Sequence, residues 1–172
     1  MSGEILELTV DADPVRIVQI TDTHLNRQEG GALLGVDTDF SLQEVIKLVR
    51  NERQHIDLLL ATGDISDQGS EDAYHRARNY LGGLCPQIAW LAGNHDLLAN
   101  MQAVLGSGGE LVRVVYVGNW QIVMLNSQIP GEVGGELGAS ELAWLEQCLQ
   151  ESSRRNLHSL VCLHHQPMPM GS

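Results

Sequence analysis

The chain has 172 residues, 43% of them hydrophobic, which suits one domain with a buried core better than two. Its 10 Lys and Arg against 22 Asp and Glu give a formal charge of −12, which opposes wrapping of long nucleic acid but not binding of a small phosphate ester. No basic segment followed by a long apolar stretch occurs near Met1, and no run approaches the roughly 20 apolar residues of a membrane span, so a cytoplasmic protein with no membrane partner is expected.

In chain order, the apolar run Val15 to Ile20 reads as a first buried strand. Ser41-Leu42-Gln43-Glu44 has the form of a capping box, and Leu42, Val45, Ile46 and Val49 recur at helical spacing, which predicts a helix from about Asp39 to Arg53. Leu58 to Thr62 is the second strand. Ser70 caps a second helix carrying Ala73, Tyr74, Ala77, Tyr80 and Leu81 on one face and ending at Gly82-Gly83. Ile88 to Ala92 is the third strand, and the βαβ alternation predicts an α/β sheet. A short helix near Leu97 to Leu105 and a Gly-rich turn at Gly106 to Gly109 precede two strands of a hairpin, Leu111 to Val117 and Gln121 to Asn126. A Gly- and Pro-containing loop, Ser127 to Gly135, leads to an amphipathic helix from Leu137 to Gln150, and Leu157 to Leu163 is the last strand. Cys85, Cys148 and Cys162 lie in or beside apolar stretches without C-x-x-C spacing and read as reduced core thiols.

The chemistry sits at strand ends. Asp22-Thr23-His24 follows the first strand, Gly63-Asp64 the second, Gly93-Asn94-His95-Asp96 the third, and His164-His165-Gln166-Pro167 the last. The carboxyl ends of such strands are where open α/β sheets bind ligands. Any one of these is a common turn, but their recurrence at successive strand ends brings carboxylate, imidazole and carboxamide to one edge. That is the ligand set of divalent cations such as Mn²⁺, Fe²⁺ or Zn²⁺. Of the adjacent pair His164 and His165, which point in different directions, one is expected to join it.

These blocks resemble those of the calcineurin-like metallophosphoesterases, D-x-H, G-D, G-N-H-[DE] and a later H before x-P. The stretches Gln19 to Leu25, Leu33 to Thr38 and Leu91 to Asp96 resemble the bacterial class III cyclic-AMP phosphodiesterases within them. The resemblance implies an α/β/β/α sandwich and a site of two divalent ions, Fe, Mn or Zn. Carried over by position, Asp22 and His24 hold one ion, Asp64 bridges both, and Asn94 with His165 holds the other, since the family ligand stands two residues before proline. Asn94 and His95 are the implied catalytic residues, with Asp96 orienting His95. The implied reaction is hydrolysis of 3′,5′-cyclic AMP to 5′-AMP by a metal-bound hydroxide. A broader phosphodiesterase or phosphomonoesterase, or an impaired binding module of the same fold, are the competing readings. The long stretch Asn26 to Asp37 is positioned either to wall the pocket or to form a mobile surface loop.

The family's final G-H-x-H block occurs nowhere in these 172 residues, which end at Met168-Pro169-Met170-Gly171-Ser172. The expectation is therefore a single domain over 1–172 lacking the C-terminal part of the fold, with weak metal binding and turnover of its own. Val112, Val114, Tyr116, Ile122 and Met124 are then expected to lack part of their cover, which predicts homodimers or aggregates.

Overall fold

The computed structural model describes residues 5–10, 14–52, 55–106 and 111–168. The Gly-rich turn beyond Gly106, the helix end at Arg53 and the last four residues lie outside them.

The elements are β1 (Ile5–Leu8), β2 (Ile17–Ile20), β3 (Ala32–Leu33), β4 (Val36–Asp37), α1 (Thr38–Glu52), β5 (Leu58–Thr62), α2 (Glu71–Gly82), β6 (Ile88–Leu91), α3 (Leu98–Leu105), β7 (Val114–Val117), β8 (Trp120–Met124), α4 (Ala139–Arg155) and β9 (His158–Cys162). One sheet has the order β2-β5-β6, all parallel, as two βαβ units require. The other has the order β1-β7-β8-β9, with β7 and β8 an antiparallel hairpin and parallel strands on either flank.

Period-2 alternation along the strands builds four layers. On β5 every residue is buried. Leu59 and Ala61 meet Leu42, Ile46, Ala73, Tyr74, Ala77 and Leu81 of α1 and α2. Leu58 and Leu60 turn the other way, onto Val115, Val117, Ile122 and Met124 of the second sheet. The outer face of that sheet, Val114 and Val123, is covered by Cys148, Leu145 and Trp144 of α4. The result is helix, sheet, sheet, helix. A fully buried Leu contributes about 1.5–3 kcal/mol, so β5, buried on both faces, is the strand on which both halves depend.

Helix ends differ in detail from the sequence expectation. Helix α1 begins at Thr38, and its cap is Asp37, whose Oδ1 accepts the Phe40 N–H at 2.9 Å, so Ser41 lies inside the first turn. Ser70 caps α2 as expected, accepting the Ala73 N–H at 3.2 Å. Helix α4 continues to Arg155, where Asn156 adopts the left-handed conformation that closes it.

Of the second-sheet residues expected to lack cover, Tyr116 alone is half-buried and the other four are covered. Val112, Val114, Ile122 and Met124 are buried, because sheet packs on sheet and α4 covers the back. Exposed apolar side chains lie instead on α4, at Leu142 and Leu149, and on the edge strand at Val161. No described helix is long and apolar enough to cross a membrane.

Candidate metal centre

Beyond Ile20 the chain still runs alongside the segment after β5. Asp22 N–H donates to Gly63 O at 3.0 Å, His24 N–H to Asp64 O at 2.9 Å and Leu25 N–H to Ile65 O at 2.9 Å. Asp22 and His24 both look toward Asp64. Their backbones are bent to do so: Asp22, His24 and Asp64 have φ of 55°, 44° and 50°. Non-glycine residues rarely hold this conformation, and its concentration at one strand edge marks strain held by the surrounding fold.

Two glycines make the convergence sterically feasible. A side chain at Gly63 would strike the His164 ring, and one at Gly93 would strike Asp64 Oδ1 and, at 2.8 Å, His164 Nε2. The G-D and G-N pairs are thus close-approach requirements as well as turns.

Asp64 is the centre, 4% exposed. Its Oδ1 accepts the His95 N–H at 2.9 Å, while Oδ2 stands 3.6 Å from His24 Nε2 and 3.4 Å from His164 Nε2. The potential ligand atoms form two triplets, each within 4.8 Å: His24, Asp64 and His95, and Asp22, Asp64 and His164. Both share Asp64. Asn94 lines the same cavity, of about 640 Å³. Burial pushes the Asp64 carboxyl up, but the His164 hydrogen bond, the His95 N–H and the charges of both rings outweigh it and hold the acid below its usual range. The hydrogen bond to Asp64 in turn raises His164 to about 9 against the opposing effect of burial.

The residues fit divalent cations. Oxygen and imidazole donors converge from four strand ends, and one buried carboxylate is common to both triplets.

Three placements differ from the sequence expectation. His165 was expected among the ligands, but its Nδ1 meets Ser127 Oγ at 2.8 Å and its Nε2 faces Val133 O at 3.2 Å. His164 takes the place beside Asp64, its Nδ1 donating to Thr62 O at 3.0 Å. Adjacent residues leaving β9 point to different sides, and Gly63 leaves room for the first of the two rings.

Asp96 was expected to orient His95. It is 1% exposed and accepts instead from Gly93 N–H (2.9 Å), Ser66 N–H (3.0 Å), Ile65 N–H (3.3 Å) and Tyr74 O–H (3.0 Å). It therefore ties the loop after β5 to the loop after β6. Burial raises its pKa in spite of these bonds.

The group that holds the His95 ring is Asp67. His95 Nδ1 lies 2.9 Å from the Asp67 carbonyl oxygen, and Asp67 Oδ1 stands 3.6 Å from His95 Nδ1 and 3.5 Å from His24 Nδ1. Its position three residues after Asp64 was the available signal.

The stretch Asn26 to Asp37 is a built element. It carries the β3–β4 hairpin, turned by Leu34 and Gly35 at positive φ. Arg76 of α2 anchors its start, donating to Arg27 O (2.9 Å) and Asn26 O and pairing with buried Asp39 at 3.0 Å.

Comparison with known proteins agrees with this geometry. The calcineurin-like phosphoesterase family matches residues 15–172. The chain is 43% identical over 158 residues to the 3′,5′-cyclic adenosine monophosphate phosphodiesterase CpdA of Pseudomonas aeruginosa, covering 92% of this chain and 57% of that protein. It is 41% identical to CpdA of Escherichia coli K12 (91% and 57%) and 38% identical to a 3′,5′-cyclic-nucleotide phosphodiesterase of Nostoc (92% and 59%). The chain thus spans under two thirds of the length of these relatives. A crystal structure of a dimetal phosphatase from Danio rerio superposes with a TM-score of 0.62 at 15% identity, covering 88% of this chain and 70% of that one, which supports the fold. With nearly the whole chain matched, and the four strand-end blocks meeting at one carboxylate, this protein belongs to the calcineurin-like phosphoesterase family.

Proposed function

We propose that the site is a two-metal phosphodiesterase centre acting on 3′,5′-cyclic AMP and releasing 5′-AMP. The observation that carries this reading is the pair of ligand triplets sharing Asp64; the names of the similar proteins supply the substrate class. By position in the family, Asp22, His24 and Asp64 would hold one ion and Asp64, Asn94 and His164 the other; by distance alone Asp22 groups with His164 and His24 with His95, so Asp64 is the member on which both groupings agree. Imidazole, carboxylate and carboxamide donors suit Fe, Mn or Zn. When bound, the ions supply Lewis-acid polarisation of the phosphoryl oxygens and lower the pKa of water.

The remaining work falls to side chains. Asn94, at the cavity wall, stabilises charge developing on an equatorial phosphoryl oxygen. With the Asp67 carbonyl accepting at Nδ1, that nitrogen carries a hydrogen, and His95 in its imidazolium form holds a second proton at Nε2, which passes to the departing ribose O3′ and leaves the neutral ring. Asp96, with four donors, keeps the loops bearing Asp64 and Asn94 in register.

The test is hydrolysis by the Mn²⁺-loaded protein, with product identified by chromatography. Expected is conversion of cyclic AMP to 5′-AMP at a higher kcat/KM than methyl p-nitrophenyl phosphate, lost on chelation and restored by Mn²⁺. Cleavage that survives chelation, or cleavage of the aryl diester without cyclic AMP, contradicts the reading.

A further inference from the structure

The cavity that holds both ligand triplets is lined as well by Val133, Gly134 and Gly135 and by His165 and Gln166. Its volume lies within the range of small-ligand sites. Val133 is 80% exposed and is the one apolar side chain, glycines aside, among the lining residues.

This wall is fixed from several directions. His165 bridges Ser127 Oγ to Val133 O. Gln128 Nε2 donates to Gly93 O at 2.9 Å and Asp96 O at 2.7 Å, joining the wall to the turn that carries Asn94 and His95. Glu136 N–H returns to Ser127 O at 3.0 Å, and Gln128 pairs with Gly135. A side chain at Gly135 would strike the His165 ring, so the wall and that ring are packed against each other.

We propose that the Ser127–Glu136 segment is the specificity wall of the site. Val133 packs against the nucleoside part of the substrate, and His165 and Gln128 act as positioning residues for it. The proposal rests on the phosphodiesterase reading above. A phosphoryl group held at the Asp64 end leaves the organic part of a diester to extend along the cavity, and Val133 is the apolar surface it meets. The rival wall is a second cavity of about 440 Å³ lined by Ile20, Leu33, Val36 and Leu42, which touches only Asp22 and His24 of the ligand residues.

The experiment compares two substrates and two ligands on the Mn²⁺-loaded protein. Val133→Ala is expected to lower kcat/KM for cyclic AMP about three- to tenfold more than for methyl p-nitrophenyl phosphate, chiefly through KM, the scale set by loss of two buried methyl groups. By calorimetry it should weaken 5′-AMP relative to inorganic phosphate by a similar factor. His165→Ala should give the same selective loss while two ions per chain remain. Equal effects on both substrates, a selective loss on Val36→Ala in place of Val133→Ala, or metal loss on His165→Ala would each overturn the proposal. Such a failure leaves cyclic AMP hydrolysis by the unmutated protein intact, whereas absence of that hydrolysis overturns the underlying reading as well.

Discussion

Replacing Asp64 with Asn is expected to remove both metal ions and, with them, hydrolysis. Its carboxylate is the one group present in both ligand triplets, it is buried, and its Oδ2 faces the Nε2 atoms of His24 and His164 at 3.6 and 3.4 Å. An amide of the same shape has no charge to offer the ions. Loss of an outer partner of a metal site typically costs about 10–100-fold in affinity, and loss of a ligand common to two ions should exceed that at each. Mn²⁺ binding followed by titration should weaken at both sites relative to the unmutated chain, with far-ultraviolet dichroism unchanged. Retention of one tightly held ion would show that Asp64 serves only one site.

Replacing His95 with Ala is expected to lower turnover by roughly 10²–10⁴-fold while two ions remain bound, the usual size of an acid–base contribution. The geometry makes this a sharp test, because His95 also falls within ligand distance of His24 and Asp64. Its Nδ1 is engaged by the Asp67 carbonyl and its side chain is 41% exposed into the cavity, both of which favour a substrate-facing ring. Asp67→Ala removes the carboxylate beside both His24 and His95 and should cost roughly 10–100-fold in turnover, an outer-partner effect. Loss of metal on His95→Ala would make His95 a ligand and move the proton donor elsewhere.

The layers and the location of the site were legible in the sequence because both rest on periodicity. Apolar runs at Ile17–Ile20, Leu58–Thr62 and Ile88–Leu91 are strands with helices between them, and the polar blocks at their ends meet. What was missed depends on contacts distant in sequence or on single side-chain directions. Strand β1 is four residues long, and its pairing with β7 lies over a hundred residues away. The β3–β4 hairpin has two-residue strands, below any periodic signal, and is held by Arg76 from α2. Ser41 satisfied the capping-box pattern, yet Asp37 one turn earlier supplies the cap.

At the site, the spacing to proline favoured His165, whereas the space left by Gly63 and the Ser127 hydroxyl decides between the two rings in three dimensions. Asp96 beside His95 reads as its partner in one dimension. In the fold it turns inward to backbone N–H groups of two loops, and the partner comes from Asp67 instead. The expected exposure of the second sheet assumed that its cover came from outside these residues, whereas β5, β6 and α4 provide it.

The central claim, two ions sharing Asp64 with His164 in place of His165, is tested most directly by anomalous diffraction from crystals grown with Mn²⁺. The expected result is two peaks roughly 3.5–4 Å apart on either side of Asp64, with Asp22, His24, Asn94 and His164 among their other neighbours. A single peak, or a second peak held by His165 with His164 turned away, would contradict it.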